Sequence, residues 1–155
     1  MRYLTGRART REEVLTEWLP VLVRETGPGG VLGYWAGFWT GLGDDMFVGW
    51  WALNPAPDDE HEAELGYRLP RAAWGRGLAT EGARAVLDHG FQAAGLERVW
   101  AQTMAVNLGS RGVMERVGMS FARTWVGEWN EPLPGWEQGE VEYAVTRAEW
   151  LATGA

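Results

Sequence analysis

The chain has 155 residues with a formal net charge of −7 at pH 7, and its 46% hydrophobic and 23% charged residues are typical of one ordered globular domain. It contains no cysteine, and all 14 of its basic residues are arginine, which excludes disulfides, thiolate catalysis, Schiff-base chemistry and the lysine of a P-loop. The negative charge argues against nucleic acid as a partner, because nucleic-acid binding depends on clustered positive charge.

The first half of the chain predicts a helix followed by three strands. The helix begins with a capping box, Thr10 to Glu13, and its apolar residues recur at helical spacing as far as Val23. We expect a kink or break near Pro20, which cannot donate a helical hydrogen bond, and an end at Gly27-Pro28-Gly29-Gly30. Antiparallel strands rich in aromatic and β-branched residues are predicted at residues 31–40, 46–54 and 61–69, with a hairpin turn at 41–45 and an acidic loop at 55–60.

The second half predicts alternating helices and strands. A helix over Leu78 to Ala94 carries glycine and alanine on its apolar side, which suits close packing on a sheet, and Gly95 caps its end. A shorter helix over Asn107 to Val117 ends at Gly118. Strands are predicted at residues 97–104, 121–129 and 140–146. This order of elements predicts an α/β (α+β) domain with helices on the faces of a mixed sheet.

Membrane spans and metal sites are not predicted. Charged residues or glycine interrupt every apolar run before it reaches membrane-spanning length, and no apolar signal-peptide core follows the arginine-rich start, Met1 to Arg11. Only two histidines, His61 and His89, are present, which argues against a histidine-based metal site. We therefore expect a cytoplasmic protein with no membrane partner and no metal.

The glycine-containing segment Trp74-Gly75-Arg76-Gly77-Leu78-Ala79-Thr80-Glu81 lies between a predicted strand and a predicted helix. Its two glycines leave backbone N–H groups uncovered, and the first turn of the helix adds more, so the segment predicts a phosphate-binding site. A dinucleotide fingerprint would need a third glycine where Thr80 stands. A P-loop would need lysine, which the chain lacks. Both nucleotide-binding motifs are therefore excluded.

Five blocks of sequence resemble the Gcn5-related N-acetyltransferase (GNAT) superfamily, and the likeness is greatest to its RimJ/RimL-type subgroup, which acetylates ribosomal-protein N-termini and related amines. The blocks are Ala63-Glu64-Leu65-Gly66-Tyr67-Arg68-Leu69, Trp74 to Glu81, Asn107-Leu108-Gly109-Ser110, Met114-Glu115-Arg116-Val117-Gly118-Met119 and Tyr143-Ala144-Val145-Thr146-Arg147-Ala148-Glu149-Trp150. The resemblance implies one acetyltransferase domain over residues 1–155, with a mostly antiparallel mixed sheet that splays at the coenzyme A (CoA) site and helices on both of its faces.

The resemblance also implies where acetyl-CoA binds. The backbone of Trp74 to Ala79 would hold the pyrophosphate, and the backbone of Tyr67 to Leu69 would pair with the pantetheine arm as an added strand. Ala72 stands where the superfamily has glutamine or arginine, and Arg76 is either a substitute charge partner for a phosphate or a solvated surface residue. The implied cofactor-binding residues are Tyr67, Arg68, Leu69, Trp74, Gly75, Arg76, Gly77, Leu78, Ala79 and Asn107.

The implied reaction is direct attack of an amine on the thioester. Asn107 would bond the pantetheine amides and Ser110 the departing sulfur, although asparagine at this position also suits a helix N-cap. Because the attacking amine must lose a proton, a base is needed, and Glu64 is the candidate. Its alternatives are a water chain, or Glu62, which strand alternation places on the same face as Glu64.

The start of the chain departs from the family. A strand and a helix normally precede the segment that resembles Met1 to Gly6, so we expect the strand at 31–40 to be an open edge. This departure would remove a helix that, in the family, commonly helps to form the wall of the acceptor site. It leaves two alternatives open: a non-catalytic acyl-CoA-binding module of the same fold, and an interaction domain that forms a homodimer through a tryptophan-rich edge.

Overall fold

A six-stranded mixed sheet forms the centre of the protein, in the strand order β1-β2-β3-β4-β6-β5. The computed structural model describes residues 8–24, 30–40, 45–127 and 133–153. The strands are β1 (Gly33–Trp39), β2 (Met46–Pro55), β3 (Glu62–Arg68), β4 (Arg98–Met104), β5 (Ser120–Trp125) and β6 (Glu140–Thr146). All neighbouring strands pair antiparallel except β3 and β4, which are parallel. The predicted mixed sheet is therefore confirmed.

Helices cover both faces of this sheet. They are α1 (Arg11–Glu13), α2 (Leu19–Leu22), α3 (Leu78–Gln92), α4 (Leu108–Arg116) and α5 (Arg147–Ala152). Helices α3 and α4 pack on the face that carries Trp51 and Tyr67, whereas Trp18, between α1 and α2, lies against Arg68 on the opposite face. Within the described ranges, no helix is long and apolar enough to cross a membrane.

The first helix is interrupted before Pro20, as the sequence predicts. Its capping box at Thr10 and Glu13 is present, but Val14–Trp18 forms a π-helical turn between α1 and α2. The N–H of Leu19 bonds the carbonyl of Val14, five residues back. Pro20 has no N–H to continue the four-residue pattern, so the wider turn precedes it. The predicted stop at residues 27–29 lies outside the described residues.

The predicted hairpin of β1 and β2 is confirmed by their antiparallel register, which pairs Tyr34 with Ala52 and Ala36 with Trp50. Residues 41–44 of its turn lie outside the described ranges, as do residues 128 and 129 of the predicted fifth strand. Among the described strands, β1 and β5 are the edges of the sheet.

The core between α3 and the sheet is built around Trp51, which is 5% exposed. A Cβ at Gly37 or at Gly82 would clash with the Trp51 ring, so glycine at both positions makes room for the indole. The adjacent Trp50 points to the opposite face and stacks edge-on against Tyr34, as strand alternation predicts. The small residues of α3 therefore permit the predicted close packing.

Helix α5 is absent from the predicted elements. Thr146 and Glu149 form a capping box at its start, and the indole N–H of Trp150 donates to Asp88 of α3 at 2.9 Å. The Thr-x-x-Glu spacing was visible in the sequence. The helix begins directly after β6, so no turn or loop signal in the sequence separates the two elements.

Candidate functional site

The two parallel strands at the centre of the sheet diverge part of the way along. Strand β3 pairs with β4 only through Glu62 to Glu64, opposite Arg98 to Trp100. Beyond that point Leu65 to Arg68 pair with β2 alone, while β4 continues alongside β6. The backbone N–H and C=O groups that face the gap form an edge with which an extended ligand can hydrogen-bond as an added strand.

The glycine-containing segment follows the diverging end of β3. Gly75 and Gly77 have φ values of +71° and +80°, and a Cβ at either would meet no atom within 4 Å. Glycine is thus required by backbone conformation, and the space in front of both residues is open. Gly77 is the N-cap of α3 and provides no side-chain acceptor. Leading N–H groups of α3 therefore remain available to an anion.

Two indole N–H groups fix this segment to the sheet. Trp51 donates to the carbonyl of Ala79 at 3.1 Å, and Trp74 donates to the carbonyl of Leu69 at 2.9 Å. The guanidinium of Arg76 lies 5.5 Å from the ring centroid of Trp39 at the β1–β2 hairpin. Arg76 is exposed, so it remains accessible to a phosphate. The side-chain role of Trp51 was not predicted, because it depends on a contact between distant parts of the chain.

An open depression of about 440 Å³ lies at the start of α3 and is lined by Gly77, Thr80, Glu81, Arg84 and Arg116. Arg84 donates to the carbonyl of Arg116 at 2.9 Å, and Arg116 reaches Thr80 Oγ1 at 3.4 Å. Within the described ranges, neither arginine forms an ion pair. The depression therefore adds two guanidinium groups to the N–H groups of α3. The sequence analysis missed both arginines: Arg84 lies two helical turns after Gly77, but nothing local brings Arg116 there.

Asn107 and Ser110 stand at the start of α4, across the gap from Tyr67. Asn107 caps the helix, with its side-chain oxygen accepting from the N–H of Ser110 at 3.3 Å and its amide nitrogen donating to Thr103 at 3.0 Å. The N-cap interpretation is thus confirmed, and contact with a pantetheine amide stays a prediction. The Tyr67 hydroxyl lies 2.8 Å from Ser110 Oγ and 3.1 Å from the Ser110 carbonyl oxygen.

Tyr67 remains a hydrogen-bond donor at neutral pH. Burial raises its pKa to about 12, although the hydrogen bond with Ser110 and the charge of Arg116 act in the opposite direction. If its proton turns toward Ser110 Oγ, the serine hydroxyl is free to donate elsewhere. Strand β3 thus contributes a side chain that orients the predicted Ser110, in addition to its backbone edge.

Glu64 lies at the last paired position of β3 and β4, on the face opposite Tyr67. Burial raises its pKa; a hydrogen bond from Gln102 lowers it in part, and the charges of Glu140 and Glu142 raise it further. Glu62 shares this face but is bound to Arg98 at 2.7 Å. Of these two carboxylates, Glu64 is the one that forms no ion pair with a described residue, and its pKa is shifted toward neutrality.

An ion-pair network joins the strands beside Glu64. Glu142 is buried and accepts from Arg98 at 2.8 Å and from Arg123 at 2.6 Å, while Arg98 also reaches Glu62. The network therefore links β3, β4, β5 and β6 where these strands are fully paired. The part of the chain that the structure describes holds no group of three or more histidine, aspartate or glutamate side chains placed to bind a metal ion.

Comparison with known sequences identifies relatives of the chain. The family model described as an acetyltransferase (GNAT) domain matches residues 1–120. The FsC-acetyl coenzyme A-N(2)-transacetylase of Aspergillus fumigatus is 40% identical over an alignment of 122 residues, and the match covers 74% of this chain and 52% of that protein. The chain spans about half the length of the curated relatives that it matches.

Comparison with solved structures gives a consistent result. A GNAT-family acetyltransferase from Bacillus anthracis superposes with a TM-score of 0.60 at 27% identity, over 69% of this chain and 63% of that one. RimJ of Mycobacterium smegmatis, in complex with CoA-disulfide, superposes with a TM-score of 0.56 at 26% identity, over 70% of this chain and 55% of that one. Similarity in sequence and in fold therefore points to the same group of proteins.

Proposed function

The chain belongs to the GNAT acetyltransferase family, and on that premise we propose that it transfers the acetyl group of acetyl-CoA to an amine by direct attack on the thioester. The observation that carries this proposal is the divergence of β3 from β4 beside the glycine segment. The gap offers a strand edge for an extended arm, and the segment offers N–H groups for a pyrophosphate. The name of the Aspergillus relative, which includes acetyl coenzyme A, and the CoA-disulfide complex of RimJ support the same donor.

The residues of the gap fit the parts of acetyl-CoA in order. The backbone of Tyr67 to Leu69 would pair with the pantetheine arm, and the N–H groups from Trp74 to Ala79 would bind the pyrophosphate. Arg84 and Arg116 supply positive charge beside that position, where charge-assisted hydrogen bonds to phosphate oxygens are strong. The open space at Gly75 and Gly77 supports close approach of a ligand to their backbone.

Deprotonation of the acceptor amine is the step that most needs assistance. At pH 7, freeing a lysine-type amine with pKa near 10.4 costs about 4–5 kcal/mol, whereas an α-amine near 8 costs about 1–1.5 kcal/mol. Glu64 is our general base: its carboxylate takes a proton from the amine as the N–C bond forms, directly or through one water. The raised pKa of Glu64 brings its basicity closer to that of the amine.

The departing thiolate needs less assistance. As the C–S bond breaks, the electron pair goes to sulfur, and a thiol with pKa near 8.5 is a tolerable leaving group. The Ser110 hydroxyl would donate a hydrogen bond to that sulfur while Tyr67 donates to Ser110 Oγ. Asn107 holds the start of α4 in register through its bond to the Ser110 N–H. We therefore assign Ser110 an orienting role and Glu64 the larger share of the rate.

The experiment that tests this function has two parts. Calorimetric titration with CoA measures donor binding, and release of free thiol from acetyl-CoA is then followed across a panel of peptide N-termini and small-molecule amines. The proposal expects CoA binding and thiol release with at least one amine. CoA binding without release on any amine would favour the non-catalytic acyl-CoA module, and no binding at millimolar CoA would contradict both.

A further inference from the structure

A second group of charged side chains lies on the same face of β3 as Glu64, four residues further along. The guanidinium of Arg68 lies between two indole rings, 5.1 Å from the centroid of Trp18 and 5.3 Å from that of Trp50. The guanidinium of Arg9 lies 4.7 Å from the same Trp18 ring. We call these four residues the arginine–tryptophan cluster. It brings two cations together beside the diverging end of β3.

Within the described residues, one of the two positive charges of the cluster has a carboxylate partner and the other has none. Arg9 forms an ion pair with Glu17 at 3.0 Å, whereas Arg68 forms none within the described ranges. The Nε atoms of both arginines are buried without a hydrogen-bond partner. Burial, and then the nearby charge of Arg9, lower the pKa of Arg68, while Tyr34 acts in the opposite direction. Two adjacent guanidinium groups with unfilled donors are suited to an anion.

A purely structural role accounts for only part of this arrangement. One guanidinium between two indoles can fasten the α1–α2 helix to the sheet through cation–π contacts. That fastening needs Arg68 alone, whereas Arg9 adds a second guanidinium on the same ring whose repulsion is offset only in part by its ion pair with Glu17. An anion bound by both arginines would convert the repulsion into attraction. The second cation is therefore the observation that favours a ligand.

The arginine–tryptophan cluster lies on the same face of β3 as Glu64, the proposed base for the acceptor amine. Arg68 and Glu64 are four residues apart on the same face of one strand, so their Cα atoms are separated by about 13 Å at 3.3 Å per residue. The glycine segment and the depression with Arg84 and Arg116 lie on the α3 side of the sheet, so the cofactor phosphates have their own partners. We propose, resting on the acetyl transfer proposed above, that the acceptor amine carries an anionic group of the carboxylate class, which Arg68 and Arg9 bind while the amine lies at Glu64.

The test uses matched acceptors that differ only in charge. Linear ω-amino acids of increasing length are compared with the ω-amino amides of the same length, by their kcat/KM with saturating acetyl-CoA. The proposal expects the acid to exceed the amide at least tenfold at one preferred length. Arg68→Gln should bring that ratio close to one, and Arg68→Lys should retain part of it because the charge remains. Because Arg68 would contact the pantetheine arm through its backbone alone, both variants keep that contact, and the KM for acetyl-CoA is measured in each.

Arg147→Gln is the matched control, because Arg147 lies at the start of α5 and pairs with Glu97; it should keep the wild-type ratio. An unchanged ratio in Arg68→Gln would overturn the proposal, and so would a wild-type preference for the amides. A rise in the KM for acetyl-CoA in Arg68→Gln would indicate that Arg68 binds an anionic group of the cofactor and not of the acceptor, and would also overturn the proposal.

A binding measurement separates failure of this proposal from failure of the acetyl transfer. The same ω-amino acids and amides are titrated into the protein with and without CoA. Binding of the acids that is lost in Arg68→Gln supports the anion site even if no amine is acetylated. Acetylation without any preference for the acids at any length would contradict the proposed anion site but would be consistent with the proposed acetyl transfer. Absence of binding by every acid at millimolar concentration also overturns the anion site.

Discussion

The two halves of β3 differ in how they are held. From Glu62 to Glu64 the strand is flanked on one side by β2 or by the turn that precedes β3, and on the other side by β4. Arg98 forms ion pairs with both Glu62 and Glu142 of β6 and so links this half to the neighbouring strands. From Leu65 to Arg68 the strand has β2 alone. In the first half the backbone groups on both edges are hydrogen-bonded within the sheet, whereas in the second half one edge is unpaired. The candidate site therefore begins where the pairing of β3 with β4 ends.

The same difference extends to the side chains. In the paired half, Glu62 is held by Arg98, and Glu64 stands at the boundary with a raised pKa. In the free half, Tyr67 faces Ser110 on one side of the sheet and Arg68 faces Trp18 on the other. We therefore expect substitutions in the first half to change stability and those at the boundary or beyond to change ligand binding and turnover.

The largest expected effect is that of Glu64→Gln at the boundary. If Glu64 is the base, kcat should fall by about 10²–10⁴-fold, the usual contribution of general base catalysis, while CoA affinity stays unchanged. The ratio of wild-type to variant kcat should grow as pH rises through the pKa of Glu64, because the protonated carboxyl is already inactive. Initial rates from pH 5 to 9 check this, and a pH-independent ratio would remove Glu64 as the base.

The same substitution should make the protein more stable at neutral pH. The folded-state pKa of Glu64 lies above its unfolded value, so its contribution to stability is present in full below the unfolded pKa and is lost as pH rises through the folded pKa. Glutamine carries no such cost. The stability advantage of Glu64→Gln should therefore be absent near pH 4 and appear toward pH 7, as measured by urea unfolding at both values.

The paired half is tested by Arg98→Met. The change removes a partner from the buried Glu142, which costs 3–5 kcal/mol for an isolated buried pair; because Glu142 keeps Arg123, we expect about 2 kcal/mol, or roughly 4–8 °C in Tm. CoA affinity of the folded protein should not change. Arg147→Met, which breaks the more exposed ion pair with Glu97, is the control and should cost less than about 1 kcal/mol.

The glycine segment beyond the free half is tested by Gly77→Ala. The positive φ of Gly77 is costly for alanine by about 1–2 kcal/mol, and the segment relaxes away from the geometry that binds a phosphate. CoA affinity should fall by roughly tenfold, since about 1.4 kcal/mol is a factor of ten. Gly95→Ala introduces a similar strain at φ +70° at the far end of α3. Equal losses of CoA affinity in both variants would contradict a specific role for Gly77.

The smallest expected effect is that of Tyr67→Phe. Loss of one neutral hydrogen bond to Ser110 is worth about 0.5–1.5 kcal/mol, so kcat should fall by roughly 2- to 10-fold with unchanged CoA affinity. Combining it with Ser110→Ala should add little further loss if both hydroxyls act as a unit. Tyr143→Phe, whose hydroxyl donates to Glu115 instead, is the control and should leave kcat unaltered. Additive losses of kcat from Tyr67→Phe and Ser110→Ala would show that the two hydroxyls act independently and would contradict their action as a unit.

Local signals in the sequence were sufficient for most of the fold. The capping box at Thr10 and the break at Pro20 depend on neighbouring residues, and both are observed; helix α3 ends at Gln92, three residues before the positive-φ Gly95. Helix α5 was missed although Thr146 and Glu149 carry its capping box. Such elements follow from hydrogen bonds within a few residues, which is the range that a sequence pattern describes.

The site was less predictable because it depends on contacts between distant residues. The glycine segment was readable as a phosphate site, and the family resemblance supplied Glu64 and Ser110. Neither the glycine pattern nor the family resemblance indicates that Arg116 approaches Thr80, or that Arg9 and Arg68 both lie against the Trp18 ring. These contacts are set by strand register and by the packing of helices on opposite faces, and no local pattern encodes them.

Hydrogen exchange of backbone amides with and without CoA tests the central claim most directly. If the free half of β3 pairs with an extended arm of CoA, those amides from Leu65 to Leu69 that face the gap should become protected when CoA is added, together with amides from Gly75 to Ala79. Amides from Glu62 to Glu64 should exchange equally slowly in both states. Saturating CoA with no added protection from Leu65 to Leu69, or with the same change in both halves of β3, would contradict the account.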